Sequence, residues 1–286
     1  QAWLGEPVAI TDPVAATFRR QSGTNMLMVG TNPLAPLGLF TTMIIGLAAQ
    51  LPQGAVRGAQ TFSVLDFSAD DGEDHFRRLA DQLPTPVAVG RRRQMAGMIN
   101  VFAQEVQRRL AADEGGARPI FLMLYGLHLA RDLRQDAAEM GTLSSFASSF
   151  GAGLEARDNE DERLGLANSF GSTYGGANNP APAVPTNPAQ QLPLILRDGP
   201  EVGVHTIVWC DTLMNLNRTF DRATLREFGL RITLQMSESD SQNLINTGDA
   251  NKLGPHCALL YNDEAGTLEK FRPYALPDQQ WLNQCR

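Results

Sequence analysis

Lysine is nearly absent from this chain of 286 residues: Lys252 and Lys270 are the two, and the rest of the positive charge is arginine. With a net charge of −7, the surface is not basic all over, which excludes a stand-alone nucleic-acid binder of the usual kind. Cysteine is scarce too. Cys210, Cys257 and Cys285 are an odd, widely separated set without C-x-x-C spacing, so neither a disulfide framework nor a zinc site is expected. Cys210 sits within an apolar run and reads as a small core residue. His75, His128, His205 and His256 show no pairing at ligand spacing, and no metal site is expected. There is no G-x-S-x-G elbow, nor a Cys–His pair that would support covalent catalysis. No apolar run is long enough to span a membrane, and the N-terminus lacks the basic start and apolar core of a signal peptide. A cytoplasmic location is therefore expected, and the start at Gln1 fits a piece of a larger protein.

What is present is a folding core. Hydrophobic residues make up 43% of the chain, enough for one large domain. Apolar runs of strand length recur at Met26–Val29, Thr61–Phe67, Ile120–Tyr125, Thr206–Cys210, Leu230–Gln235 and Cys257–Tyr261. Helical spacing appears between most of them, at Glu73–Gln82, Arg93–Ala111, Asp221–Phe228 and Ser239–Ile245. Nearly unbroken apolar strands alternating with helices predict an α/β fold, a mostly parallel sheet covered on both faces. Residues 1–19, with Pro7 and Pro13, read as an extended lead-in, and 20–286 as the domain proper. Gly151–Pro193, rich in Gly, Asn, Ala and Pro, reads as a flexible insertion that supplies little core. The acidic run Asp66, Asp70, Asp71, Glu73 and Asp74 reads as a dipole-favoured helix start, with Asp70 or Asp71 as its N-cap.

One segment carries a chemical signal. Met26–Val29 leads into Gly30, a turn-rich loop (Thr31, Asn32), and a long apolar helix that contains Leu39–Leu47. Strand, loop and helix in that order resemble a phosphate-binding P-loop, which aims backbone N–H groups and a helix N-terminus at phosphates. Counted from Gly30, the Gly-Lys-Ser/Thr places hold Ala35, Pro36 and Leu37. The lysine and the magnesium-holding hydroxyl are missing, and Pro36 removes an N–H donor.

The C-terminal third contains Gly203-Val204-His205 entering a strand, then Arg231-Ile232, Asp240-Ser241 and Lys252-Leu253-Gly254 before a last strand. This succession resembles the motor domain of the FtsK/SpoIIIE family within the FtsK–HerA superfamily of RecA-like ATPases. The resemblance runs from about Phe18 to Tyr274, the insertion excepted. It implies that Phe62–Phe67, with Asp66 near its end, is the second strand, and that Pro119–Tyr125 is the Walker B strand. It also implies that His205 is structural and that Asp211 occupies the sensor position, where the family commonly has a glutamine.

Departures from the family matter equally. The Walker B carboxylates are replaced by Tyr125 and Gly126, and Asp132 comes too late to substitute. The resemblance thus implies a pseudo-ATPase with no catalytic residue, no cofactor, and at most weak binding of ATP and magnesium. Its expected partners are other ATPase domains of the same chain or ring. The assembly's cargo would be double-stranded DNA or a protein substrate, as in type VII secretion ATPases, and an active NTPase using Asp66 and Asp211 is the remaining alternative. Leu34, Leu37, Leu39 and Phe40 in place of a phosphate loop suggest an apolar groove for a peptide or a self-plugged site. Arg91-Arg92-Arg93 reads as a solvated helix start or a phosphate contact, and Arg218, Arg222 and Arg226 as one helical stripe at a subunit interface.

Overall fold

In a computed structural model, the structure describes residues 1–50, 61–68, 74–112, 116–135, 187–278 and 281. The strands are β1 (Ala2–Pro7), β2 (Val14–Ala16), β3 (Met26–Val29), β4 (Phe62–Asp66), β5 (Val87–Gly90), β6 (Ile120–Tyr125), β7 (Val204–Cys210), β8 (Leu230–Thr233), β9 (Ala258–Asn262) and β10 (Thr267–Pro273). The helices are α1 (Leu34–Ala49), α2 (His75–Gln82), α3 (Met95–Ala112), α4 (Pro188–Asp198), α5 (Leu213–Leu216), α6 (Arg222–Arg226) and α7 (Glu238–Ile245). All ten strands form one sheet in the order β2-β1-β10-β9-β8-β3-β7-β6-β4-β5. From β8 to β5 every neighbouring pair is parallel; from β8 to β2 every pair is antiparallel. The fold is α/β, as its alternating pattern predicts.

The unbroken apolar strands have a simple cause: successive side chains feed two cores. On β3, Leu27 and Val29 enter the core under α3 and α4, while Met26 and Met28 enter the core under α1 and α2. Likewise Leu122 and Leu124 of β6 oppose Phe121, Met123 and Tyr125, and Val208 and Cys210 of β7 oppose Ile207 and Trp209. Helix α1 buries Leu39, Phe40, Met43, Ile44 and Leu47 on one of these faces, and α3 buries Ile99, Phe102, Ala103 and Val106 on the other.

Several details differ from the sequence reading. Helix α2 is capped by Asp74, whose side chain accepts from the Arg77 N–H; Asp70, Asp71 and Glu73 lie outside the described residues, as do Cys285 and 151–186 of the expected insertion. Its end, 187–193, is the first part of α4. Asn187 caps that helix, Pro188 starts it, and Leu192, Ile195 and Leu196 recur at helical spacing toward the core. Arg218, Arg222 and Arg226 do not share a helix: Arg218 lies beyond α5, and Asp221 caps a new helix, α6. Leu39 and Phe40 are fully buried, so they are core rather than groove; Leu34 is exposed.

Candidate phosphate-loop site

A parallel sheet places its ligands beyond the carboxyl ends of the strands, where helix N-termini converge. Here β3, β7 and β8 end together: Val29 pairs with Cys210 on one side and Thr233 on the other. Just beyond them, Gly30, Thr31, Asp211, Thr212, Ser237 and Asp240 line a cavity of about 160 Å³. Of the sequence-derived site residues, the structure therefore brings Gly30, Thr31 and Asp211 together.

The loop from Gly30 to Pro33 is short, and α1 begins at Leu34. Few of its N–H groups are left to face a ligand. Gly30 donates to the Cys210 carbonyl at 3.2 Å, and Leu37 to the Pro33 carbonyl at 3.1 Å. The N–H of Leu34 donates to the Asn32 side chain at 3.0 Å, while Pro33 and Pro36 have none. Ala35 is half-buried, Pro36 is buried and Leu37 is half-buried in the first turn of α1. The loop is also tied down from both sides. Tyr125, the last residue of β6, donates its hydroxyl to the Pro33 carbonyl at 2.9 Å, and the Trp209 indole donates to the Gly30 carbonyl at 3.0 Å. Tyr125 and Trp209 rings lie 4.5 Å apart. Burial, with the nearby Asp66 charge, pushes the Tyr125 phenol above its ordinary range, so it remains a donor. Gly126, next along, has φ 83° and starts a 3-10 turn; a carboxylate residue there would be strained.

Asp66, Asp132 and Asp211 each have partners. Asp66 is buried and accepts from the Ser68 N–H at 2.9 Å and hydroxyl at 2.7 Å. Asp132 forms a two-bond pair with Arg92 at 2.7 and 2.9 Å. Asp211 accepts from both Asn215 (2.9 and 3.0 Å) and the Thr212 hydroxyl (3.1 Å). Burial alone would raise its pKa, but these donors and nearby His128 hold it below the ordinary carboxylate value. His128 lies across from it, with Nδ1 3.7 Å from the Asp211 carboxylate. This neighbour was not readable from the sequence, in which no histidine has a partner at ligand spacing.

The remaining residues that carry the family resemblance are scaffold. His205, buried among Phe18 and Phe121, bonds through Nδ1 to the Thr24 carbonyl at 2.9 Å, at the end of the sheet opposite the cavity. Arg231 donates to the carbonyls of Phe228, Leu244 and Leu225, stitching β8 to α6 and α7. Ser241 donates to the Thr247 carbonyl and accepts from the Ala250 N–H, fixing the turn that carries Lys252. Asn25, unremarked in the sequence, is fully buried and bridges Leu196, Glu227 and Thr206. Arg91 and Arg92 are paired with Asp74 and Asp132. Arg218 donates to the Asn215 side chain at 3.3 Å, and Arg222 and Arg226 are exposed.

The six parallel strands are ordered β8-β3-β7-β6-β4-β5, so β7 separates β3 from β6, and solved structures resemble the fold as a whole. The cytoplasmic domain of the type VII secretion ATPase EccC from Thermomonospora curvata superposes at TM-score 0.54, with 12% identity, covering 96% of this chain and 28% of that one. EssC (ATPases 2 and 3) from Geobacillus thermodenitrificans matches at TM-score 0.54 and 12% identity, covering 100% of this chain and 50% of that one. The pCW3 conjugation coupling protein TcpA, solved with ATPγS, matches at TM-score 0.60 and 9% identity over 99% of this chain and 69% of that one. The chain therefore shares the RecA-like P-loop ATPase fold of these structures. The chain spans between about a quarter and a half of EccC and EssC. No protein-family model matches the sequence, and no curated protein matches it. None of the described helices is long and apolar enough to cross a membrane.

Proposed function

We propose that this FtsK–HerA-type domain does not hydrolyse nucleotide and serves as a structural or regulatory module of a larger ATPase assembly. The observation that carries the reading is Tyr125. It stands where a magnesium-holding acid would end the strand, and it spends its hydroxyl on the loop itself. Phosphoryl transfer depends on placed charge, and loss of one such contact costs about two to three powers of ten in rate. Here the lysine, the magnesium hydroxyl and both acids are missing together. The alternative of an unconventional NTPase built on Asp66 and Asp211 has less support, because both carboxylates are already occupied by neighbouring donors.

DNA translocation is the first reading for the parent assembly, with other ATPase domains as partners of this one. A protein substrate is the second. It draws support from the net charge of −7 and from the pairing of Arg91 and Arg92 with acids, which leaves little basic surface there for phosphates. Calorimetric titration of ATP into the 286-residue chain, with and without magnesium, tests the central reading. No heat at millimolar nucleotide is the expected result. Micromolar binding with magnesium-dependent turnover that is abolished by Asp66→Asn or Asp211→Asn would overturn it.

A further inference from the structure

One cluster of metal-ligating side chains has no part in that role. His128, Cys210 and Asp211 each bring a ligand atom to one point, all within 4.8 Å of one another. We propose that these three side chains form a binding site for a thiophilic divalent ion of the zinc class, on the rim of the phosphate-loop cavity. An ion held there requires no bound nucleotide.

The geometry is close to what such an ion requires. Tetrahedral zinc with bonds of about 2.0–2.3 Å sets neighbouring donor atoms roughly 3.3–3.7 Å apart. The His128 Nδ1 to Asp211 Oδ1 distance is 3.7 Å, and so is that from Cys210 Sγ to Asp211 Oδ1. The donors also point inward. The Asp211 N–H donates to His128 Nδ1 at 3.3 Å, so the imidazole lone pair faces the cluster and its proton sits on Nε2. That bond is long and weak enough to give way to a metal. The Cys210 thiol is directed at the Asp211 carboxylate and the Thr212 carbonyl.

Charge balances as well. A neutral imidazole, a carboxylate and a thiolate together neutralise a dipositive ion. The only proton that must leave is that of the Cys210 thiol, which passes to solvent as the sulfur–metal bond forms. Outer partners are in place: Asn215 and Thr212 orient the carboxylate, and Trp209 packs edge-on against the His128 ring at 5.3 Å. Hydrogen bonds that orient a ligating carboxylate, as those from Asn215 and Thr212 do, typically accompany metal ligands. Softness of the sulfur and nitrogen donors favours zinc or cobalt(II) over magnesium. Asp211 also lines the 160 Å³ cavity, so an ion held here stands beside the loop after Gly30.

Cobalt(II) titration of the purified chain, in a Cys257→Ser, Cys285→Ser background, tests the proposal directly. The expected result is a thiolate-to-cobalt charge-transfer band saturating at one equivalent and displaced by zinc. The band should vanish in Cys210→Ser, and affinity should fall at least about tenfold in His128→Asn. Near-ultraviolet circular dichroism shows whether each variant is folded; because Cys210 is a core residue, His128→Asn carries the test if Cys210→Ser does not fold. Absence of the band at excess cobalt, or its persistence at unchanged affinity in His128→Asn, would overturn the site.

Discussion

Gly30 is where residue-scale packing constrains the loop. A Cβ there would lie 2.5 Å from Leu234 Cβ and 2.8 Å from its Cγ, and Leu234 is itself fixed by its N–H bond to the Val29 carbonyl at 2.9 Å. Gly30→Ala should therefore cost about 1–3 kcal/mol through overpacking, read from urea unfolding. The glycine is retained for close approach between β3 and the chain leaving β8, a demand that holds whether or not a phosphate is ever bound. His205 gives a second residue-scale expectation. Its burial lowers its pKa from 6.5 to about 4, against the smaller opposing effect of its bond to Thr24. The unfolded chain then binds this proton more readily than the native state. Stability from His205 is complete above pH 6.5, declines as pH falls, and is gone below about 4. Asn places a donor where Nδ1 stood but does not titrate, so His205→Asn should flatten the melting temperature between those pH values. A lower step remains: Arg108 chiefly, with Arg109, holds Glu105 down from 4.5 to about 2, and its contribution is lost across that range as pH falls.

At the scale of elements, the strands legible in the sequence were those buried on both faces. β3, β6 and β7 show every residue apolar or nearly so because each side chain enters one of two cores. β10 is illegible in the sequence for the opposite reason. Of Thr267–Pro273 only Phe271 is buried, so pairing with β9 and β1, rather than side-chain burial, defines it. β5 is short and mostly half-buried beside β4. The site was legible where it is local, in the run from Gly30 into α1. It was illegible where it is assembled across the sheet: His128 follows β6 and Asp211 follows β7, and the parallel pairing that runs to Tyr125 opposite Trp209 brings the two strand ends together. Arg231 tests how such elements are joined. Its guanidinium reaches carbonyls of Leu225, Phe228 and Leu244 from one strand position. Lysine cannot span all of them, so Arg231→Lys should lose about 1–3 kcal/mol and loosen α6 and α7 first, seen as faster amide exchange there.

For the whole molecule, the decisive question is whether the first 19 residues are an accessory or part of the fold. β1 and β2 extend the antiparallel side of the sheet beyond β10, with Gly5 opposite Pro273 and Ala2 opposite Ala16. The approach is tight: a Cβ on Gly5 would overlap the Arg272 carbonyl. Ala2, Leu4, Val14 and Ala16 are buried in the same core as α1, and the Tyr274 N–H donates to the Leu4 carbonyl at 3.1 Å. Removing residues 1–16 would uncover the β10 edge and part of the apolar face of α1 at once. An uncovered edge is a template for pairing between chains, and the lost burial falls on the helix that starts at the phosphate loop. The truncated chain should melt at lower temperature and scatter light at concentrations where the full chain stays monodisperse. Equal melting and scattering would show instead that these strands are a detachable lead-in, and that the six parallel strands with β9 and β10 suffice to hold the site.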